Sequence, residues 1–133
     1  MREIKFRAFI KEHDIVADVI SIDFREKIIT ISDEDGVKIS NDAAFFQTIF
    51  EFDDVYLMQR TGLKDKNGVE IYDGYIAKDR LGYLYSIEFL KGDFIARHEP
   101  NKSEEEYDNL SMLYDELEVI GNIYENKELL NEK

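Results

Sequence analysis

The chain has 133 residues, 44% of them hydrophobic, with 9 Phe and 8 Tyr, which is a one-domain length with ample material for a core. That aromatic content excludes a disordered chain, and 7 Gly with 1 Pro exclude collagen-like and proline-rich classes. The 30 acids against 17 bases leave a net charge of −13, which opposes the phosphate neutralisation that duplex DNA binding requires.

From the N-terminus the dominant period is two. Ile4, Phe6 and Ala8 alternate with Glu3, Lys5 and Arg7, the pattern of a half-buried strand. Residues 15–24 and 27–31 are rich in β-branched side chains and read as strands on either side of Arg25-Glu26. Asp33-Glu34-Asp35-Gly36 reads as a turn into a short strand at Val37-Lys38-Ile39. Residues 41–51 read as a short helix capped by Asn41 or Asp42, although Phe45-Phe46 and Ile49-Phe50 also fit a buried strand.

Val55–Arg60 reads as a strand, and the turn formers of 61–68 follow it. Asn67-Gly68 is a strong hairpin signal there, because both residues tolerate positive φ. Strands are predicted at 69–78, 82–90 and 93–98, broken by Asp73-Gly74 and Gly92-Asp93. After a polar break at Pro100, Ser103 and Glu106 match a capping box ahead of Leu110, Leu113, Tyr114 and Leu117. Residues 103–115 therefore read as a helix or a loop, and 117–124 as a last strand.

Short strands parted by turns predict a mainly β fold, an antiparallel β-barrel or sandwich-like domain with one or two short helices. Residues 1–125 are expected to form a single domain, with 126–133 a short polar C-terminal tail. Phe6, Ile20, Ile22, Leu57, Ile71, Ile87 and Ile120 are its expected core.

Three segments carry a resemblance: MREIKFRAF at the start, LMQRTGLKDKNGVEIYDGYIAK in the middle and EVIGNIYEN near the end. Together they resemble the YopX family of phage and prophage proteins. The middle segment is the most specific, with Thr61-Gly62-Leu63, Asp65, Asn67-Gly68, Glu70-Ile71-Tyr72 and Gly74 in the family's order and spacing. The chain departs where the family carries an acidic residue after the last glycine, since Tyr75-Ile76-Ala77 follows Gly74 here. The resemblance implies a phage or prophage source and brings no catalytic residue or cofactor. Thr61, Gly62, Leu63, Asp65, Asn67, Gly68 and Gly74 are the candidate site, either a fold-specifying turn or a recognition loop that Lys64 and Lys66 would serve.

No other constellation stands out. With Gly68 at the sixth place of a calcium loop, Asp65 and Asn67 fit, but Leu63 and Gly74 fall where ligands are needed. His13 and His98 lack zinc-binding spacing and read as loop histidines. No phosphate loop or nucleophile elbow is present, so no enzyme, metal or cofactor is expected. Tyr83, Tyr85, Ile87 and Phe89 share one strand face, expected to be core or a subunit interface in preference to a platform for single-stranded nucleic acid.

The absence of cysteine suits a reducing cytosol, and charges interrupt the first 14 residues where a secretion signal would be apolar, so a bacterial cytoplasmic location is expected, with no membrane contact. Residues 99–133 hold 11 acids and 3 bases, so most of the net charge sits in the C-terminal third. The leading expectation is a phage accessory protein acting by protein contact with a host or phage partner. It would be a homo-oligomer held by strand edges or aromatic faces and not by 126–133. The alternative is an acidic nucleic-acid mimic that inhibits a host protein.

Overall fold

The computed structural model describes residues 3–32, 47–98 and 106–130. Its strands hydrogen-bond into two antiparallel sheets, of six and five strands, so the fold is mainly β; among the described residues neither sheet closes into a barrel. The chain divides into two compact units, Ile4–Gln59 and Met1–Glu3 with Arg60–Lys133.

The first unit holds β1 (Phe6–Ile10), β2 (Ile15–Asp23), β3 (Ile28–Ser32), β4 (Gln47–Glu51) and the start of β5 (Val55–Lys64), in the order β4-β3-β2-β1-β5. Ala8, Ile10, Ala17, Ile29, Ile31 and Val55 form its core, with Val19, Ile22 and Leu57 packed against them. The turn from β2 to β3 is built on Asp23, whose carboxylate accepts the N–H groups of Arg25 and Glu26 at 3.0 and 2.9 Å.

Ile20 is a correction: expected in the core, it is 48% exposed. The register passes from Val19↔Ile31 to Ser21↔Thr30, which leaves Ile20 as the extra residue of a β-bulge. Ala17 and Val19 face the core before the bulge, and Ile22, opposite Ile29, faces it afterwards. Strict alternation placed Ile20 with Ile22, and the bulge reverses the phase between them. Phe6 is half-buried.

For 41–51, read as a helix or a buried strand, the strand holds at 49–50 and the helix is a second correction over 47–51. Residues 41–46 lie outside the described residues, as do the turn at 33–36 and the strand at 37–39. Residues 47–51 form β4, paired with β3 through Ile29↔Phe50 and Ile31↔Thr48. Thr48, Ile49 and Phe50 are strand formers, and β3 offers them an edge, so pairing overrides the helical spacing.

In the second unit the last residues of β5 pair with β6 (Glu70–Tyr72). The sheet β10-β9-β8-β7-β11 comprises β7 (Tyr75–Lys78), β8 (Leu84–Leu90), β9 (Asp93–His98), β10 (Tyr107–Asn109) and β11 (Glu118–Asn122). One turn of helix, α1 (Lys127–Leu130), falls in the expected tail. Ile71 and Ile87 are fully buried. Ile120 is only half-buried, because it is the extra residue between Val119↔Ala77 and Gly121↔Ile76. Lys91 and Gly92, at φ 51° and 86°, supply the left-handed pair that joins β8 to β9.

The helix expected over 103–115 is not formed among its described residues. Residues 107–109 are β10, paired with β9, and 110–112 and 114–116 are separate 3-10 turns with Leu113 at φ −142° between them. Leu110 and Leu117 are buried. Their spacing is a genuine core signal, which two three-residue turns satisfy as well as an α-helix does.

Candidate functional site

The segment 61–74 is wired together by its own side chains. Asp65 is 6% exposed, and one carboxylate oxygen accepts the N–H groups of Asn67 and Val69 at 2.8 and 2.9 Å. Its other oxygen accepts the N–H of Val119 at 2.9 Å, tying the loop to β11 across 54 positions. The Lys66 N–H reinforces this by donating to Leu117 O at 2.9 Å. Thr61 donates its hydroxyl to Ile71 O at 2.8 Å and accepts the Leu63 N–H at 3.2 Å, bridging β5 and β6 where their register slips between Arg60↔Tyr72 and Lys64↔Glu70.

Gly62 and Gly74 sit at φ 89° and 88°, and Gly74 is bracketed by backbone bonds, its N–H to Ile87 O at 2.7 Å and its carbonyl from Ile123 N–H at 2.8 Å. The expected Asn67-Gly68 turn differs in detail. Only Gly68 takes positive φ, at 82°, and the connection is a five-residue loop closed by Asp65 N–H to Val69 O at 2.8 Å. Lys64 lies on β5, and the Lys66 ammonium stands 3.6 Å from Glu118.

A second feature of the same unit is a cleft of about 220 Å³ lined by Tyr83, Leu84, Tyr85, His98 and Glu106. Asp79 builds one wall: one carboxylate oxygen accepts the N–H groups of Leu81 and Tyr83 at 2.9 and 3.0 Å, and the other accepts the Tyr85 hydroxyl at 2.9 Å. His98 ends β9, a correction to its reading as a loop histidine; its ring meets Tyr85 edge-on at 5.0 Å, and Nε2 lies 2.6 Å from Asp108. Burial, the hydrogen bond to Asp79 and the charges of Asp79, Asp108 and Glu116 push the Tyr85 phenol from 10.0 up to about 12. A phenol held this way donates a hydrogen bond and resists becoming a base. Among the described residues, no Ser, Thr or Cys lines the cleft to be activated by His98.

The stripe Tyr83, Tyr85, Ile87 and Phe89 is therefore divided. Ile87 is core, Tyr85 is half-buried, and Tyr83 and Phe89 are exposed. His13 lies in the β1–β2 turn with its ring 6.2 Å from that of Phe50. Among the described residues no three His, Asp or Glu side chains gather as a cation site. Sequence reasoning missed Asp79 and Asp108. A usable signal was present for the first, since Asp79-Arg80-Leu81-Gly82-Tyr83 repeats the Asp-x-x-Gly-x spacing of Asp65-Lys66-Asn67-Gly68-Val69. Asp108 reaches His98 only through the pairing of β10 with β9, and no local signal marks it.

A family profile described as YopX protein matches residues 5–131. Comparison with curated proteins finds no match. Among solved structures, the crystal structure of protein EF1440 from Enterococcus faecalis is similar over 98% of this chain and 99% of that one, with a TM-score of 0.60 and 28% identity.

Proposed function

The chain belongs to the YopX family, and from that premise we propose that it is a phage or prophage accessory protein acting through protein contacts. In this reading it is a homo-oligomer, without catalytic activity, in the cytoplasm of a bacterial host. The observation that carries it is the open edge of the first unit. Strand β4 pairs with β3 and, among the described residues, with no other strand, and its Ile49 is 62% exposed. Such an edge offers a row of backbone donors and acceptors to a further strand, and a two-fold axis lets two copies of one edge satisfy each other.

The cleft supports the non-enzymatic part. Two of its titratable groups are committed to carboxylates, Tyr85 to Asp79 and His98 to Asp108. No described helix is long and apolar enough to cross a membrane. The nucleic-acid-mimic alternative draws less support, because the C-terminal acids are partly consumed within the chain: Asp108 by His98, and Glu118 by Lys66 at 3.6 Å.

Light scattering at micromolar concentration tests the oligomer, with a mass above the 15.7 kDa of one chain expected and a clean monomer overturning the proposal. Ile49→Lys places a charge on the open edge, where an exposed substitution leaves folding within about 0.5 kcal/mol. Dissociation to monomers with an unchanged melting curve is the expected result. An intact oligomer would mean that β4 is not the interface.

A further inference from the structure

The cleft beside β8 has a shape and chemistry that the oligomer reading does not use. At about 220 Å³ it falls below the roughly 300–1,000 Å³ of sites that enclose a whole drug-sized ligand, so it suits a single side chain. Its walls are the rings of Tyr83, Tyr85 and His98 with the aliphatic Leu84, and Tyr83 stands 55% exposed at the surface. Among the described residues its charge has one sign: Glu106 lines it, Asp79 and Asp108 hold the Tyr85 hydroxyl and the His98 ring, and no described Lys or Arg lines it. The nearby Arg97 is engaged by Glu88 and lies 5.8 Å from the Tyr107 ring.

Aromatic faces set in a negative field favour a cation with a flat, weakly hydrated head. A guanidinium meets that description better than an ammonium, because it stacks on rings and forks onto a carboxylate. We infer that the cleft receives an arginine side chain from a partner protein, stacked against Tyr83 and paired with Glu106. This rests on the reading of the chain as a protein-contact module and names the chemistry of its partner.

The test is an NMR titration of the isotope-labelled full chain with N-acetyl-arginine amide, beside its uncharged isostere N-acetyl-citrulline amide. The arginine probe is expected to give saturable shifts at the amides of Tyr83, Leu84, Tyr85 and His98, and the citrulline probe to bind at least roughly tenfold more weakly. Tyr83→Ala and Glu106→Gln, both at exposed positions that folding tolerates, are each expected to weaken arginine binding roughly threefold or more. Equal binding of the two probes, shifts that map elsewhere, or unchanged binding in both variants overturns the assignment. Light scattering reads oligomerisation separately. A monomer that binds arginine removes the oligomer and keeps the cleft, and an oligomer indifferent to arginine does the reverse.

Discussion

Replacing Asp65 separates the work of its two carboxylate oxygens. In Asp65→Ala, the N–H groups of Asn67, Val69 and Val119 lose their acceptor together. Hydrogen bonds to a charged acceptor contribute about 1.5–3 kcal/mol each, but these three are unequal. Asn67 and Val69 are exposed and turn to water, whereas the half-buried Val119 N–H has less access to it. The summed cost is about 3–5 kcal/mol, which at roughly 4 °C per kcal/mol lowers the melting midpoint by about 12–20 °C. Asp65→Asn keeps one acceptor oxygen and presents an amide donor where the other oxygen stood. Its cost is about 1.5–3 kcal/mol, so stability should fall in the order Asp, Asn, Ala. Urea melts give the energies, and hydrogen exchange at the Val119 amide shows where they act. An Asp65→Ala midpoint within about 0.5 kcal/mol of the parent, or unchanged Val119 protection in Asp65→Asn, would refute this wiring as a source of stability.

Lys91 occupies the left-handed region at φ 51°, which strains an L side chain; Lys91→Asn should raise stability by about 0.5–1 kcal/mol in thermal melts, and a loss would show that the Lys91 side chain contributes a contact of its own. The Tyr85 phenol, raised to about 12 by burial and by Asp79, holds its proton more tightly when folded, so its contribution is complete below pH 10 and fades as pH rises through 12. Tyr85→Phe should accordingly flatten the alkaline limb of a stability profile between those values, and coincident limbs would count against the Tyr85–Asp79 bond. Duplex DNA should give no gel shift at physiological salt, given the net charge of −13, and a tight, salt-sensitive shift would show that Arg2, Lys5 and Arg7 outweigh it.

Much of the sheet structure was legible because alternation and β-branching act locally. Residues 15–24, 82–90 and 93–98 declare themselves as strands through the side chains they must place on two faces. The phase of a strand is less local. Ile20 leaves the core because Val19 and Ser21 meet successive residues of β3, and a bulge is a property of the pair of strands. The same holds for the misread helices: Gln47–Glu51 and Tyr107–Asn109 are strands because β3 and β9 offer them edges. In the candidate segment, turn chemistry marked Gly68 and Gly74, and the family resemblance marked Asp65. That Asp65 reaches Val119 could not be read, since the two lie 54 positions apart and the chain between them must fold first. The cleft was legible only in its aromatic stripe, because the carboxylates that hold its rings, Asp79 and Asp108, arrive from a loop and from β10.

The two Asp-x-x-Gly-x loops connect these cases. In each, the Asp N–H donates to the carbonyl four residues on, at 2.8 Å for Asp65 and 3.0 Å for Asp79, and the glycine N–H returns to the Asp carbonyl at 3.0 Å. In each, one carboxylate oxygen accepts the N–H groups two and four residues on, and the glycine takes φ 82° or 89°. One oxygen closes the loop, so the second is left to accept something else. In the first loop it takes the Val119 N–H and fastens β11; in the second it takes the Tyr85 hydroxyl and sets a wall of the cleft. An asparagine could close either loop, but its second terminal atom would donate where both partners also donate. The requirement for aspartate therefore comes from the long-range partner and the requirement for glycine from the turn. One five-residue device serves fold in one place and cleft in the other, according to which donor the sheet brings to its spare oxygen.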